Sequence, residues 1–181
     1  MDSGEVLFRG RKFDLVRRQV KFPDGSTHTR ELVQHPGAVT VLPLVGPEEV
    51  CLLRNFRPAA ERFLWELPAG TREPDEPPEQ TARRELEEET GYRAGRLWRL
   101  LGFFTSPGVM TEWMEVFVAE ELTPGQARPE QGELLQTAVL SWPEVEKLIR
   151  QGEIQDGKTL AALLYYRQYA ARQEEPTNPE S

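Results

Sequence analysis

Gly70-Thr-Arg-Glu-Pro-Asp-Glu-Pro-Pro-Glu-Gln-Thr-Ala-Arg-Arg-Glu-Leu-Glu-Glu-Glu-Thr-Gly-Tyr92 places eight carboxylates in twenty-three residues. Its pattern predicts a loop and then a helix over about 77–90, with proline accepted in the first turn and Gly91 positioned to stop it. On that helix Glu85, Glu88 and Glu89 are spaced i, i+3 and i+4 and share an arc of about 100°. Ala82 and Leu86 border the arc, while Arg83 and Glu87 point the other way as an i, i+4 pair suited to solvent. The three acids therefore adjoin the apolar stripe, whereas a purely solvated face would more often lie across from it. Two carboxylates ~5 Å apart repel by roughly 3 kcal/mol at an effective dielectric near 20. A divalent cation reverses that sign, and hard cations favour one or two carboxylates together with substrate phosphate oxygens. From the acidic run alone, a solvated surface is still the better reading.

Working outward, the rest of the chain reads as strands with few helices. Residues 6–8, 13–22 and 27–33 form short strands, with Pro23-Asp-Gly-Ser26 as a turn and a boundary at His35-Pro36-Gly37. Residues 38–45 and 49–56 form a buried β-hairpin, and 63–68 a further short strand. Beyond the acidic helix come strands near 97–104, 112–119 and 138–142, then helices over 143–150 and 158–172. The organisation expected is an N-terminal β-strand module over 1–37, a main domain over 38–172 and a disordered acidic tail over 173–181. The fold class is mixed α+β.

Bulk composition narrows the partners. Lys and Arg total 22 against 30 Asp and Glu, a net charge of −8, which argues against nucleic acid. A small anion held by a few arginines and a metal is compatible with that balance. Cys51 stands alone between Val50 and Leu52, so it reads as strand core, and nothing suggests an oxidising compartment. The first residues lack a basic start followed by an apolar run, and no apolar stretch is long enough to span a membrane. A cytoplasmic protein is expected.

The spacing around the helix changes the balance. From Gly70 the pattern runs Gly, five residues, Glu76, seven residues, Arg84-Glu85-Leu86, one residue, Glu88-Glu89, one residue, Gly91-Tyr92. This resembles the Nudix box at each of its specified positions, and the resemblance extends over about 38–172. It implies an α/β/α sandwich that hydrolyses a nucleoside diphosphate linked to another moiety, using Mg2+ or Mn2+. Carried onto this chain, it makes Glu85 and Glu89 the main metal ligands, Glu88 a further ligand or water-positioner, and the Ala69 carbonyl part of the inner shell. Arg84 would brace the loop by pairing with Glu76 or Glu88. Such a metal site suits the chemistry, because charge repels the attack of water on an anionic diphosphate and cations neutralise that charge.

Pro107, sixteen residues past Gly91 in Thr105-Ser-Pro-Gly-Val-Met-Thr-Glu112, resembles a marker of the ADP-ribose pyrophosphatase subgroup. That resemblance implies that Glu112 contacts the terminal ribose; a plain β-turn with an exposed Glu is the alternative. Asn55-Phe-Arg57-Pro58-Ala59 also resembles the subgroup, with Arg57 reaching the diphosphate, Arg54 a weaker candidate, and Glu66 an acid near the metals. For the water-activating acid, Glu133 is preferred over Glu130 in a loop that matches only in part. Phe13, Phe22 and Arg17 could join an adenine pocket, since relatives swap N-terminal strands across a homodimer; strand packing is the simpler role. Tyr165, Tyr166 and Tyr169 would pack on the sheet or on a dimer partner. Neither His28 nor His35 is assigned to the chemistry.

The leading function is Mg2+-dependent hydrolysis of an ADP-ribose-like nucleoside diphosphate sugar, with GDP-mannose or another sugar nucleotide as the enzymatic alternative. A non-catalytic nucleotide sensor would have lost box glutamates, which this chain keeps. An acidic interaction domain would show no metal-dependent stabilisation.

Overall fold

The computed structural model describes residues 4–129, 132 and 134–170; the expected tail over 173–181, Glu130 and Glu133 lie outside the described residues. The chain begins with β1 (Glu5–Arg9), β2 (Asp14–Lys21) and β3 (Thr27–Gln34). These make a three-stranded antiparallel sheet with the register Val16↔Leu32 and Val20↔His28 between β2 and β3. Asp24 stabilises the β2–β3 turn by accepting from both the backbone and the hydroxyl of Ser26.

The main sheet is built from β4 (Ala38–Gly46), β5 (Glu49–Arg57), β6 (Arg62–Glu66), β7 (Ala69–Thr71), β8 (Arg93–Phe104), β9 (Trp113–Thr123) and β10 (Leu135–Ser141). Its order is β10-β5-β4-β9-β8, with β6 paired to β5 and β7 to β4. Only the β4–β9 pairing is parallel among these ladders. The helices are α1 (Pro78–Thr90), α2 (Trp142–Arg150) and α3 (Gly157–Tyr165), followed by a π-helical turn over Tyr166–Ala170.

Strand β4 explains why helices cover both faces. Its residues 38–43 are all buried, as a strand sandwiched on two sides must be. Val39 and Val41 pack with Ala82 and Leu86 of α1, joined by Phe117 and Ala119. On the other face Leu42, Val116 and Val118 pack with Trp142 and Val145 of α2 and with Ala162 and Leu163 of α3. The fold is thus α+β, three layers deep, with α1 the one helix on its side among the described residues. The expected strands are present, joined by the three-residue strand β7 and a short 3-10 turn over Pro58–Ala60; the helix expected over 158–172 is α-helical to Tyr165 and gives way to the π-helical turn. Tyr166 is buried and stacks on Trp142, ring centroids 5.7 Å apart, whereas Tyr165 and Tyr169 are exposed.

Candidate active site

A cleft of about 530 Å³ lies between the N-terminal sheet and the α1 side of the main sheet. Its walls are the β1–β2 turn over 10–14, the β3 exit over 34–36, Arg57, residues 69–74, and Arg84 with Glu85 of α1. The size suits a small-molecule ligand.

Helix α1 begins with Pro78 and ends where Gly91 turns left-handed at φ 79°, its N–H closing onto the Glu87 carbonyl at 2.8 Å. Between those stops the helix sets its acids beside β7. The Glu89 side chain, in a residue only 4% exposed, accepts from the Ala69 N–H at 2.9 Å. Glu85 is held by Arg84 at 2.7 Å and packs directly on Gly70, where an added Cβ would lie 1.8 Å from the Glu85 Oε1. Glu88, 37% exposed in its side chain, meets the same Nη1 of Arg84 at 3.1 Å. Arg84 also reaches Glu76 at 3.2 Å, so it pairs with both expected acids and with Glu85. Burial would lower the Arg84 pKa, but hydrogen bonds and charge from Glu76 and Glu85 outweigh it and hold the guanidinium protonated. Glu76 is subject to the same contest. Burial would raise its carboxyl, and hydrogen bonds from Arg84, Thr81 and the Glu73 N–H pull it below the ordinary value.

Arg83 and Glu87 do face outward, but they do not pair with each other. Arg83 bonds Glu79 at 3.1 Å and Glu87 bonds Arg93 at 2.6 Å. The loop following α1 brings Arg93 within reach of Glu87, so tertiary placement overrides the i, i+4 option.

Among the described residues, no three His, Cys, Asp or Glu side chains have donor atoms gathered on one point. Glu85 and Glu88 turn to Arg84, and Glu89 to the Ala69 N–H. The residues nonetheless fit a divalent cation. The donors are all hard oxygens, they project from one rigid helix, and Gly70 leaves the space that the Glu85 carboxylate occupies.

Arg57 and Glu66 meet on the same face of the β5–β6 ladder, where Arg57 pairs with Arg62 and Leu53 with Glu66. Glu66 is 1% exposed and takes two hydrogen bonds from Arg57, 2.7 Å from Nε and 2.5 Å from Nη2. Hydrogen bonding to Glu66 raises the Arg57 pKa, and the charges of Glu89 and Asp156 add to it. A third partner, Lys158, bonds Glu66 at 3.0 Å and Asp156 at 2.9 Å. Asp156 caps α3 through the Thr159 N–H, and Thr159 accepts from the Leu67 N–H at 2.9 Å. Sequence reading missed Lys158, although Asp156-Gly-Lys-Thr159 carries a helix-cap signature that marks the start of α3.

The other candidates separate. Arg54 lies on the opposite face of β5 from Arg57, over the rings of Phe63 and Trp65 at 5.7 and 5.4 Å, so the structure does not bring it to the cleft. Phe13 lines the cleft from its own chain. Phe22 instead packs edge-on against His28, and Arg17 pairs with Glu31 and Glu5. Glu112 is not among the residues that line the cleft; it accepts from Thr105 and faces His35, which does line the cleft and went unassigned in the sequence. Cys51 is fully buried, and burial pushes its thiol up to about 12, so it is no nucleophile.

The profile of the NUDIX domain matches residues 34–163. The chain belongs to the Nudix family. It is 40% identical over 163 residues to an ADP-ribose pyrophosphatase of Bacillus subtilis (strain 168), covering 89% of this chain and 88% of that one. It is 34% identical over 176 residues to a GDP-mannose pyrophosphatase of Citrobacter koseri, covering 91% and 90%. A crystal structure of an ADP compounds hydrolase matches the fold with a TM-score of 0.79 at 23% identity, over 94% of this chain and 92% of that one. This Nudix hydrolase therefore belongs to a family that generally uses divalent metal ions. Among the described residues no helix is long and apolar enough to cross a membrane.

Proposed function

We propose that this Nudix hydrolase cleaves the diphosphate of a nucleoside diphosphate sugar, with ADP-ribose giving AMP and ribose 5-phosphate. The observation that carries the reading is one cleft bordered by both the α1 glutamate edge and the Glu66-anchored Arg57. The pyrophosphatase relatives support the substrate class.

Glu85, Glu89 and Glu88, with the Ala69 carbonyl, would hold Mg2+, and Mn2+ would substitute. When bound, such ions neutralise phosphate charge and lower the pKa of coordinated water. The chain's own residues do the rest. Arg57 commits Nε and Nη2 to Glu66, which orients the guanidinium and leaves Nη1 to donate to a phosphate oxygen. Glu66 is itself held by Lys158, so the phosphate-binding arginine enters the reaction already placed. Arg84 bridges Glu85 and Glu88 through one nitrogen and so spaces the two carboxylates. Glu112 takes the sugar end. Glu133 accepts a proton from water as its oxygen attacks phosphorus and the bridging P–O bond breaks, with the departing phosphate taking the electron pair; Glu88 is the alternative base.

GDP-mannose is the second substrate reading, favoured by the Citrobacter koseri relative. We further propose that residues 1–37 act as one module that dimerises the enzyme, that 38–172 is the hydrolase unit, and that the protein works in the cytoplasm. Exposed apolar residues on both units, Val6 and Phe8 with Phe104, Val109 and Trp113, support self-association. A metal-supplemented hydrolysis screen over ADP-ribose, GDP-mannose, UDP-glucose, diadenosine polyphosphates and NADH tests the function. A metal-dependent preference for a sugar nucleotide is expected, lost in Glu85→Gln with the fold retained. Equal, metal-independent rates on all of them would overturn it.

A further inference from the structure

The β3 exit and the loop that carries Glu112 are stitched together by hydrogen bonds. The Val33 N–H donates to the Val109 carbonyl at 2.9 Å, and the Thr111 N–H returns to the Val33 carbonyl at 3.0 Å. The His35 N–H donates to the Thr111 hydroxyl at 3.0 Å, and that hydroxyl donates to the His35 carbonyl at 3.3 Å. The end of β3 therefore ties down Val109 and Thr111 of the 105–112 loop, and His35 sits at the seam with its side chain only 7% exposed.

The ring is oriented from both ends. The Gly37 N–H points at Nδ1 at 3.1 Å, and an N–H donor requires a lone pair there. The ring proton of neutral His35 must then sit on Nε2. Nε2 faces Glu112 Oε1 at 3.6 Å, a dipole-to-charge contact rather than a closed hydrogen bond. The other oxygen of Glu112 accepts from Thr105 at 2.5 Å. One carboxylate oxygen is thus hydrogen-bonded by Thr105 and the other faces the His35 ring.

We propose that His35, locked as the Nε2–H tautomer by the Gly37 N–H, is a positioning residue that aims Glu112 at the sugar end of the substrate. The inference rests on the nucleoside diphosphate sugar reading for its kinetic consequence, but not for its geometry. Burial and the charge of Lys12 lower the His35 pKa against the opposing pull of Glu112, which agrees with a neutral ring. The role differs from that of the metal-side residues: it concerns how the sugar is held, so it acts on KM.

Two measurements on the full chain decide it. A long-range 1H–15N spectrum at neutral pH is expected to show His35 as the Nε2–H tautomer; an Nδ1–H tautomer overturns the proposal whatever the enzyme hydrolyses. Kinetics on ADP-ribose are expected to show His35→Ala raising KM about tenfold with kcat within about twofold. Glu112→Gln should do the same, the double variant should be no worse than either single one, and His35→Gln, which keeps an N–H donor, should recover most of the loss. Additive effects, or an unchanged KM in His35→Ala, sink the idea. If wild-type enzyme hydrolyses no sugar nucleotide, the functional reading fails instead, and the spectrum still decides the orientation of His35. Should His35→Ala fail to fold, His35→Gln and the spectrum carry the test.

Discussion

Gly70→Ala puts the proposed metal edge under direct steric load. A Cβ at Gly70 would lie 1.8 Å from Glu85 Oε1, 2.0 Å from its Cδ and 2.5 Å from Oε2. A Cβ essentially never comes within 3.0 Å of a non-bonded heavy atom, so the carboxylate must retreat by at least 1.2 Å (3.0 less 1.8). Because the obstacle is the end of a flexible side chain, the fold can absorb the change. Replacing glycine in a strand also removes unfolded-state entropy, worth about 0.5–1 kcal/mol in the opposite direction. The melting midpoint should therefore stay near that of wild type. Activity should not, since a displacement of about 1 Å at a reacting centre costs about 10²-fold in kcat/KM, or ~2.7 kcal/mol. The assay is sugar nucleotide hydrolysis at saturating divalent metal, with thermal melting in parallel. Gly108→Ala, where nothing lies within 4 Å of the added carbon, is the control. If Gly70→Ala keeps kcat/KM within about threefold of wild type while remaining folded, the placement of the Glu85 carboxylate is not used in catalysis.

Arg84→Ala should lower both activity and stability. It strips the main cation from Glu76, whose side chain is 8% exposed, and leaves the Thr81 and Glu73 hydrogen bonds. A loss of about 2 kcal/mol is expected, read as a drop of roughly 4–8 °C in Tm; an unchanged Tm would mean that Glu76 does not depend on Arg84. Glu76 also predicts part of the acid limb. Its native carboxyl lies below the ordinary 4.5, so on acidification the unfolded chain takes up the proton first. Its contribution is present above that ordinary value and lost as pH falls through the native one. Urea midpoints measured from pH ~5 to ~3 should fall less steeply in Glu76→Gln than in wild type, and parallel curves would refute the linkage.

Local signals made much of this protein legible. The acidic helix was readable because its start, its Gly91 stop and its i, i+3, i+4 spacing all lie within one short stretch. Apolar runs bounded by turn residues marked the strands, and the largely apolar stretch over 38–45 marked a buried hairpin strand; its cover on both faces came from tertiary packing. Strand β7 was not visible because three residues of Ala-Gly-Thr carry no periodicity; only its pairing with β4 makes it a strand. Lys158 meets Glu66 from ninety-two positions away, and no local pattern encodes that partner. Arg83 and Glu87 offered each other a local pair, yet each took a different partner.

The sequence by itself determined most of the elements, the family motif and the identity of the glutamates on α1, since helical and strand periods place side chains on faces without reference to anything distant. Only the tertiary structure decided which groups hold those side chains in place. Arg57 is oriented by Glu66 and Lys158, His35 is turned toward Glu112, and the N-terminal sheet walls the cleft. These depend on contacts between segments far apart in the chain, formed when both faces of one sheet are covered and buried charges must find partners wherever packing brings them.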